Sequence, residues 1–273
     1  MQIGVFDSGI GGLSVLYEAL KQMPHEDYIY YADTANVPYG DKHREQVRHC
    51  IFDAVRLLAQ EGINALIVAC NTATSVAIQD IRRQYDFPII GMEPAVKPAV
   101  NSVPNKRVMV FATPLTLCES KFVHLLHQVD TNNAVDFLPL QELVRFAEAF
   151  EFDTATVTMY LRDRLDGYDL NQYGAVVLGC THFRFFEDHI RSVFPKDTII
   201  IDGNFGTVRN LRKILISKND FHHGTGRIKY YVSGMEAADT AMMERYLLRL
   251  RQIESPPCAS ITNFMNTGKN DNE

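Results

Sequence analysis

Two segments of the chain resemble each other, and each carries a cysteine that could do chemistry. Ala65–Thr72 contains Cys70, and Ala175–His182 contains Cys180; both read as an apolar run, a small residue, a cysteine and a threonine-containing polar cluster. A predicted helix begins after each cysteine, and a helix N-terminus lowers the pKa of a thiol from about 8.5 towards neutrality. The pattern therefore predicts two reactive thiols.

Two thiols on opposite sides of one substrate predict racemisation or epimerisation. A thiolate removes a proton from one face of a carbon acid, and a thiol on the other face returns one. One cysteine with one histidine, such as Cys180 with His182, would instead indicate acyl transfer. The duplicated cysteine favours the two-base reaction. Asp7 and Glu148 are candidate carboxylates that could orient a thiol or exchange a proton with it.

A glycine-rich turn follows the first predicted strand. Ser8–Gly12 leads directly into a helix predicted over 13–22, and the free N–H groups of such a turn can hold an anion. A dinucleotide pyrophosphate is one interpretation, with Asp33 at the end of the next strand, although Ser14 stands where that pattern has its third glycine. Two other interpretations are that the turn binds a small carboxylate ligand, or that it is a tight turn with only a structural role.

The elements around these residues alternate between short apolar strands and amphipathic helices. This alternation predicts an α/β protein whose parallel sheet is covered by helices on both faces. Ligands in such folds bind beyond the carboxyl ends of the strands, where the polar clusters of this chain all fall. Further helices are predicted over 41–62, with Asp41 as its cap, over 114–128 and over 237–250.

Composition excludes several classes of protein. The chain has 273 residues, a net charge of −6 and 46% hydrophobic residues, which is typical of a globular protein and unlike a nucleic-acid or anionic-membrane binder. It begins without a signal-peptide pattern, and no apolar run approaches the length of a membrane span. Five cysteines without a CxxC pair predict a cytoplasmic protein with reduced thiols, of which Cys50, Cys118 and Cys258 are bystanders.

Five motifs, taken together and in order, resemble those of bacterial glutamate racemases. The motifs are Phe6–Leu16, Asp33-Thr34 with Val37–Gly40, Ala69–Thr74, Gly91–Ala99 and Leu178–His182. The chain departs from the family at Ala112, where glycine is usual, and at Phe183-Arg184, which replaces Tyr-Pro. The resemblance extends from residue 3 to about 210.

The resemblance implies a racemase that needs neither a cofactor nor a metal and that interconverts L- and D-glutamate, supplying D-glutamate for peptidoglycan. It also implies two similar three-layer α/β/α domains with mostly parallel sheets and the active site in the cleft between them. The first domain would be discontinuous, over 1–95 and 208–252, and the second would cover 96–207. Residues 253–273 are predicted as a polar tail, and a homodimer is implied.

The resemblance also assigns roles to individual residues. Cys70 would take the α-proton from D-glutamate with the help of Asp7, and Cys180 would take it from L-glutamate with the help of His182. Glu148 would be an auxiliary catalytic carboxylate. The substrate would be bound by Ser8, Pro38, Tyr39, Gly40, Asn71, Thr72, Thr113, Thr116 and Thr181.

Three other functions remain open from the residues alone. A related two-cysteine racemase could act on aspartate or a hydantoin. A nucleotide-binding oxidoreductase could use Gly9, Gly11 and Asp33. A non-catalytic ligand-binding protein could share the scaffold, but the pair of cysteines argues against it.

Overall fold

The computed structural model describes residues 1–130, 133–218 and 224–255, and these form an α/β fold with mostly parallel sheets, as predicted. The strands are β1 (Gln2–Asp7), β2 (Asp27–Ala32), β3 (Ala65–Val68), β4 (Ile89–Gly91), β5 (Arg107–Ala112), β6 (Val135–Pro139), β7 (Tyr173–Leu178), β8 (Ile199–Asp202), β9 (Ile228–Val232) and β10 (Met235–Glu236).

Helices follow most of the strands and cover the sheets. They are α1 (Leu13–Gln22), α2 (Arg44–Gln60), α3 (Asn71–Gln84), α4 (Val96–Ser102), α5 (Pro114–Cys118), α6 (Ser120–Val129), α7 (Gln141–Glu148), α8 (Thr154–Arg164), α9 (Glu187–Val193), α10 (Asn204–Ser217) and α11 (Ala241–Glu254). Two short 3₁₀ helices matter for the site, at Tyr39–Asp41 and at Thr181–Phe186.

The first sheet has the strand order β10-β9-β2-β1-β3-β4, and its pairs are parallel except β9 with β10. Successive side chains of a strand point to opposite faces. In β1, Ile3 and Val5 therefore belong to a core cluster that includes residues of α1 and α10, whereas Phe6 belongs to one that includes residues of α2 and α3. Helices on both faces explain why this central strand is almost wholly apolar.

The second sheet has the parallel order β6-β5-β7-β8 and the same layered construction. Met109 and Phe111 of β5 point to one face, and Val108 and Val110 point to the other. The cluster with Phe111 also contains Val5 of the first sheet. One apolar core therefore continues from the first sheet into the second.

The strands of the two sheets fall on either side of the predicted domain boundaries. Strands β1–β4, β9 and β10 lie within 1–95 and 208–252, and β5–β8 lie within 96–207. The boundary at 207/208 falls inside α10, which packs against α1. The boundaries themselves stay a prediction. Helix α11 runs two residues into the predicted tail, and residues 256–273, including Cys258, lie outside the described residues.

Local structure differs from the sequence prediction at several helix ends. Helix α2 begins after His43, and Asp41 is not its cap, because it belongs to the preceding 3₁₀ helix. The helix predicted over 114–128 is two helices, since Glu119 has extended backbone angles between them. The last helix begins at Ala241 rather than 237, and Ala237 N–H instead donates to Tyr230 O of β9 beside the β9–β10 pair. No helix within the described residues is both long and apolar enough to cross a membrane.

Candidate active site

The carboxyl ends of the central strands of both sheets meet at one narrow cavity. Both cysteines line it, one after β3 and the other after β7. The full lining is Ser8, Tyr39, Gly40, Cys70, Asn71, Thr72, Thr113, Gln141, Val144, Gly179, Cys180 and His182. The cavity therefore lies where the alternation of strands and helices predicts a ligand.

Cys70 lies at the N-cap of α3, and its Sγ accepts a hydrogen bond from Ala73 N–H at 3.4 Å. The helix start does not bring the pKa of this thiol towards neutrality, contrary to prediction. Burial raises the pKa of Cys70 to about 12, and the nearby carboxyl of Asp7 adds to the rise. Hydrogen bonds from Ser8 and Ala73 only partly offset it. At neutral pH this pKa favours the thiol form of Cys70.

Cys180 has a different environment, in which His182 contacts its thiol. Cys180 Sγ lies 3.6 Å from His182 Nδ1, and the segment after it is a 3₁₀ helix rather than the predicted α-helix. The other ring nitrogen, Nε2, is 2.6 Å from Glu148 Oε1. Burial alone would lower the pKa of His182, but the hydrogen bonds with Cys180 and Glu148 raise it well above its usual value. These contacts therefore favour the protonated form of His182, whose ring is paired with Glu148.

The glycine-rich turn binds carboxylates of the protein itself. Ile10 N–H donates to Glu148 Oε1 at 2.8 Å, and Gly9 N–H donates to Asp7 Oδ1 at 3.1 Å. A Cβ on Gly9 would overlap Glu148 Oε1. The dinucleotide interpretation is therefore unsupported, because two N–H donors of this turn already have partners. Close approach of Glu148 is the physical reason for glycine at this position.

Asp7 is fully buried at the end of β1. Its Oδ2 accepts a hydrogen bond from Thr181 Oγ1 at 3.1 Å, which joins the first sheet to the segment after Cys180. Burial raises the pKa of Asp7 from 3.8 to about 6, and His182, Gly9 and Thr181 oppose that rise. The carboxyl therefore changes protonation state close to neutral pH, as a proton-exchanging group would.

Three threonine hydroxyls form a buried triangle between the two sheets. Thr72 Oγ1 lies 3.0 Å from both Thr113 Oγ1 and Thr116 Oγ1, which are 2.9 Å apart. Thr72 belongs to α3, beside the first sheet, whereas Thr113 and Thr116 follow β5 of the second. Hydroxyl groups can each donate and accept, so the triangle can re-form around a carboxylate in the cavity.

Most residues predicted for the site lie in or against this cavity. Tyr39 contributes to the wall, and its OH donates to Asp33 Oδ2 at 2.7 Å. Of the predicted substrate-binding residues, Pro38, Thr116 and Thr181 are not part of the lining. Pro38 is the N-cap of the 3₁₀ helix that begins at Tyr39. Thr116 contacts Thr72 and Thr113, and Thr181 contacts Asp7. Asp7 and Glu148 lie behind the wall, in contact with Thr181 and His182.

Three further residues line the cavity without having been predicted: Gln141, Val144 and Gly179. Gly179 stands directly before Cys180, so the cysteine motif itself points to it. Gln141 and Val144 come from α7, and their sequence resembles an ordinary amphipathic helix. The packing of α7 against the 3₁₀ helix at Thr181–Phe186 brings them to the cavity.

The remaining cysteines take no part in this arrangement. Cys50 is half-buried, Cys118 is exposed, and the four cysteines of the described ranges are all free thiols. Within those ranges, no three His, Cys, Asp or Glu side chains come together in a way that could hold a metal ion.

Comparison with known proteins identifies the family. Residues 13–210 match the sequence family described as Asp/Glu/Hydantoin racemase. This chain belongs to that family. A glutamate racemase from Halothermothrix orenii is 52% identical over 255 residues, which cover 93% of this chain and all of the relative.

Solved structures of family members share the fold. A glutamate racemase isoform from Bacillus anthracis has a TM-score of 0.76 and 29% identity, over 90% of this chain and 93% of that one. A glutamate racemase from Francisella tularensis, solved with D-glutamate, has a TM-score of 0.76 and 26% identity, over the same shares of the two chains. The two sheets described above therefore belong to the same fold as these enzymes.

We predict that Asp7→Asn stabilises the protein increasingly as the pH rises from 4 to 7. The folded state holds the Asp7 proton more tightly than the unfolded state, so this group removes stability between its usual pKa of 3.8 and about 6. The gain at pH 7 should be on the order of 3 kcal/mol. Urea unfolding at several pH values measures it. The exposed Asp86→Asn is the control, and a gain that does not depend on pH would contradict the prediction.

We predict that Glu148→Gln lowers the pKa of His182. The amide keeps an acceptor for Ile10 N–H but removes the negative charge beside the ring, so the pKa of His182 should fall. NMR titration of the His182 ring protons measures this value in both proteins. Glu151→Gln, three residues away and exposed, is the matched control. An unchanged His182 titration would show that Glu148 does not hold the charge on this ring.

Proposed function

We propose that this chain is a glutamate racemase that inverts the α-carbon by proton transfer between two cysteines, without a cofactor. The observation that carries the proposal is the meeting of two buried thiols, Cys70 and Cys180, at one small cavity between two sheets. The relatives named glutamate racemase, at 42–52% identity, support glutamate as the substrate. The complex of the Francisella tularensis enzyme with D-glutamate supports it as well.

The proposed reaction moves one proton off the α-carbon and another one on. The thiolate of Cys180 takes the α-proton of L-glutamate, which leaves a carbanion, and the thiol of Cys70 protonates the opposite face to give D-glutamate. Cys180 ends as a thiol and Cys70 as a thiolate. The reverse reaction restores the starting protonation states of the two cysteines. Proton exchange can also restore them, through His182 beside Cys180 and through Asp7, whose charge acts on Cys70.

Substrate binding is proposed to lower the pKa of Cys70. The high pKa of Cys70 keeps its proton in place, as the donor role requires, whereas the reverse direction needs the thiolate. A bound ammonium group near the thiol would lower its pKa by direct charge attraction. Asn71 Oδ1 is a buried acceptor without a hydrogen-bond partner in the described structure, and it is suited to bind that ammonium group.

The α-carboxylate needs hydrogen-bond donors that hold its charge as the carbanion forms. The hydroxyls of Thr72 and Thr113, with Thr116 behind them, lie in the cavity wall and are proposed to donate to it. Donors already positioned in a site without water contribute most to such catalysis. The other residues proposed to contact the substrate are Ser8, Pro38, Tyr39, Gly40 and Thr181.

We predict that Cys70→Ser and Cys180→Ser each lose racemisation of glutamate by roughly 100- to 10,000-fold, because an alcohol is a poor acid–base group at neutral pH. Racemisation is followed by circular dichroism, starting from each enantiomer and without added cofactor. In deuterated solvent, product made by the wild-type protein should carry deuterium at the α-carbon. L-Aspartate is assayed in parallel to test the alternative substrate.

Cys50→Ser is the matched control, since Cys50 is half-buried and does not line the cavity. It should keep wild-type racemisation, and all three variants should unfold at temperatures close to that of the wild type. Near-wild-type activity in both Cys70→Ser and Cys180→Ser would overturn the two-base mechanism.

From the resemblance to the family we also propose that the protein is a cytoplasmic homodimer. The D-glutamate that it makes would enter peptidoglycan. Sedimentation should then give the mass of two 31.0 kDa chains. A bacterium that lacks this and any equivalent enzyme should require D-glutamate for growth. The mass of a single chain at all concentrations would contradict the dimer.

A further inference from the structure

The side-chain amide of Gln141 is an unused hydrogen-bonding group inside the cavity wall. Both Oε1 and Nε2 are buried, and neither has a partner among the described residues. Buried polar groups in folded proteins are nearly always hydrogen-bonded, so an exception needs an explanation. A ligand that enters the cavity would supply the missing partner, because Gln141 belongs to the cavity lining.

The position of Gln141 is set by contact between α7 and the 3₁₀ helix that carries Tyr39 and Gly40. A Cβ on Gly40 would overlap Gln141 Oε1, so the amide lies directly against the Gly40 backbone. Towards the solvent, Arg145 of α7 forms an ion pair with Asp41 of the 3₁₀ helix, 3.0 Å between Nη2 and Oδ2. The two contacts fix the amide at one end of the cavity.

We propose that Gln141 is a specificity-determining residue whose Nε2 donates a hydrogen bond to the side-chain carboxylate of the substrate. The inference rests on the proposed function, in which that substrate is glutamate. A neutral amide can bind a carboxylate without neutralising it, and a hydrogen bond to a charged acceptor is stronger than one between neutral groups.

The topology of the cavity favours the side-chain carboxylate over the α-carboxylate. The reacting carbon must lie between the two thiols, so its ammonium and carboxylate groups lie beside residues that adjoin the cysteines in the chain, such as Asn71 and Thr72. Gln141 instead follows β6, outside both cysteine motifs in the chain, and its amide lies against Gly40, on the side of Thr113. A substrate side chain that extends towards Gly40 would bring its far end to the amide.

This placement predicts a preference for glutamate over aspartate. The aspartate side chain is one methylene shorter, so its carboxylate would not reach the amide while its α-carbon lies between the thiols. The amide would then stay buried and unpartnered, which is the condition under which a site rejects an analogue most strongly.

Two variants of nearly the same size test the inference. Gln141→Met removes the donor, and Gln141→Glu replaces it with a charge that repels a carboxylate. The KM and kcat for L-glutamate are measured for both by circular dichroism, together with the inhibition constant of L-glutamine. Glutamine shares the α-carboxylate and ammonium groups of glutamate but has an amide at the end of its side chain.

We expect Gln141→Met to raise the KM for glutamate about tenfold, as loss of one hydrogen bond to a charged group would. The kcat should change by less than about threefold. Its unfolding temperature should not fall, because the change removes a buried amide that has no partner in the free protein. In Gln141→Glu, glutamate should bind more weakly and glutamine should inhibit more strongly than in the wild type.

Several results would overturn the inference. An unchanged KM in Gln141→Met, whether or not the protein is destabilised, would show that the amide does not bind substrate. Equal weakening of glutamate and glutamine in Gln141→Glu would place the amide at the α-carboxylate. If glutamine inhibits Gln141→Glu no more strongly than it inhibits the wild type, the inference is also rejected.

The exposed Gln84→Met at the end of α3 is the matched control and should behave as the wild type. The wild-type assay separates this inference from the proposed function. A wild-type protein that does not racemise glutamate would refute the proposed function itself. A wild type that does so, with Gln141→Met unchanged, would refute only the role of Gln141.

Discussion

The buried contact between His182 and Glu148 holds together the parts of the molecule that form the site. A charged imidazole in the interior needs close partners, since burial of an unpaired ion is strongly unfavourable. Glu148 Oε1 accepts hydrogen bonds from His182 Nε2 and from Ile10 N–H, so one oxygen joins α7, the 3₁₀ helix after Cys180 and the turn after β1. Any displacement of α7 would leave both donors without this acceptor.

The two thiols occupy unequal environments, although their sequence motifs are alike. Cys70 has backbone and hydroxyl donors, and burial dominates its pKa. Cys180 has His182 within reach of its Sγ. In the free protein, the surroundings of the two thiols therefore differ, and so do the starting points for the two directions of proton transfer. The ammonium group of the substrate is the charge that the proposed reaction brings to the Cys70 side.

Several sequence predictions failed where long-range packing outweighed a local signal. A helix start normally favours the thiolate, but at Cys70 desolvation is the larger effect. The turn at Gly9 has the local form of a ligand-binding loop, yet the carboxylate at Ile10 N–H belongs to Glu148, 138 residues away in the chain. A periodicity that predicted one helix over 114–128 cannot show that Glu119 interrupts it.

By itself, the sequence determined the alternating strands and helices, the α/β class, and the positions of Cys70 and Cys180 at strand ends. These follow from local periodicity and from the topology of parallel sheets, which places strand ends at one edge. Only the tertiary structure decided that α7 reaches the cavity, that Gln141 has a buried amide there with no partner among the described residues, and that His182 pairs with Glu148. Burial and pairing depend on which distant segments meet, and no local pattern of residues specifies that.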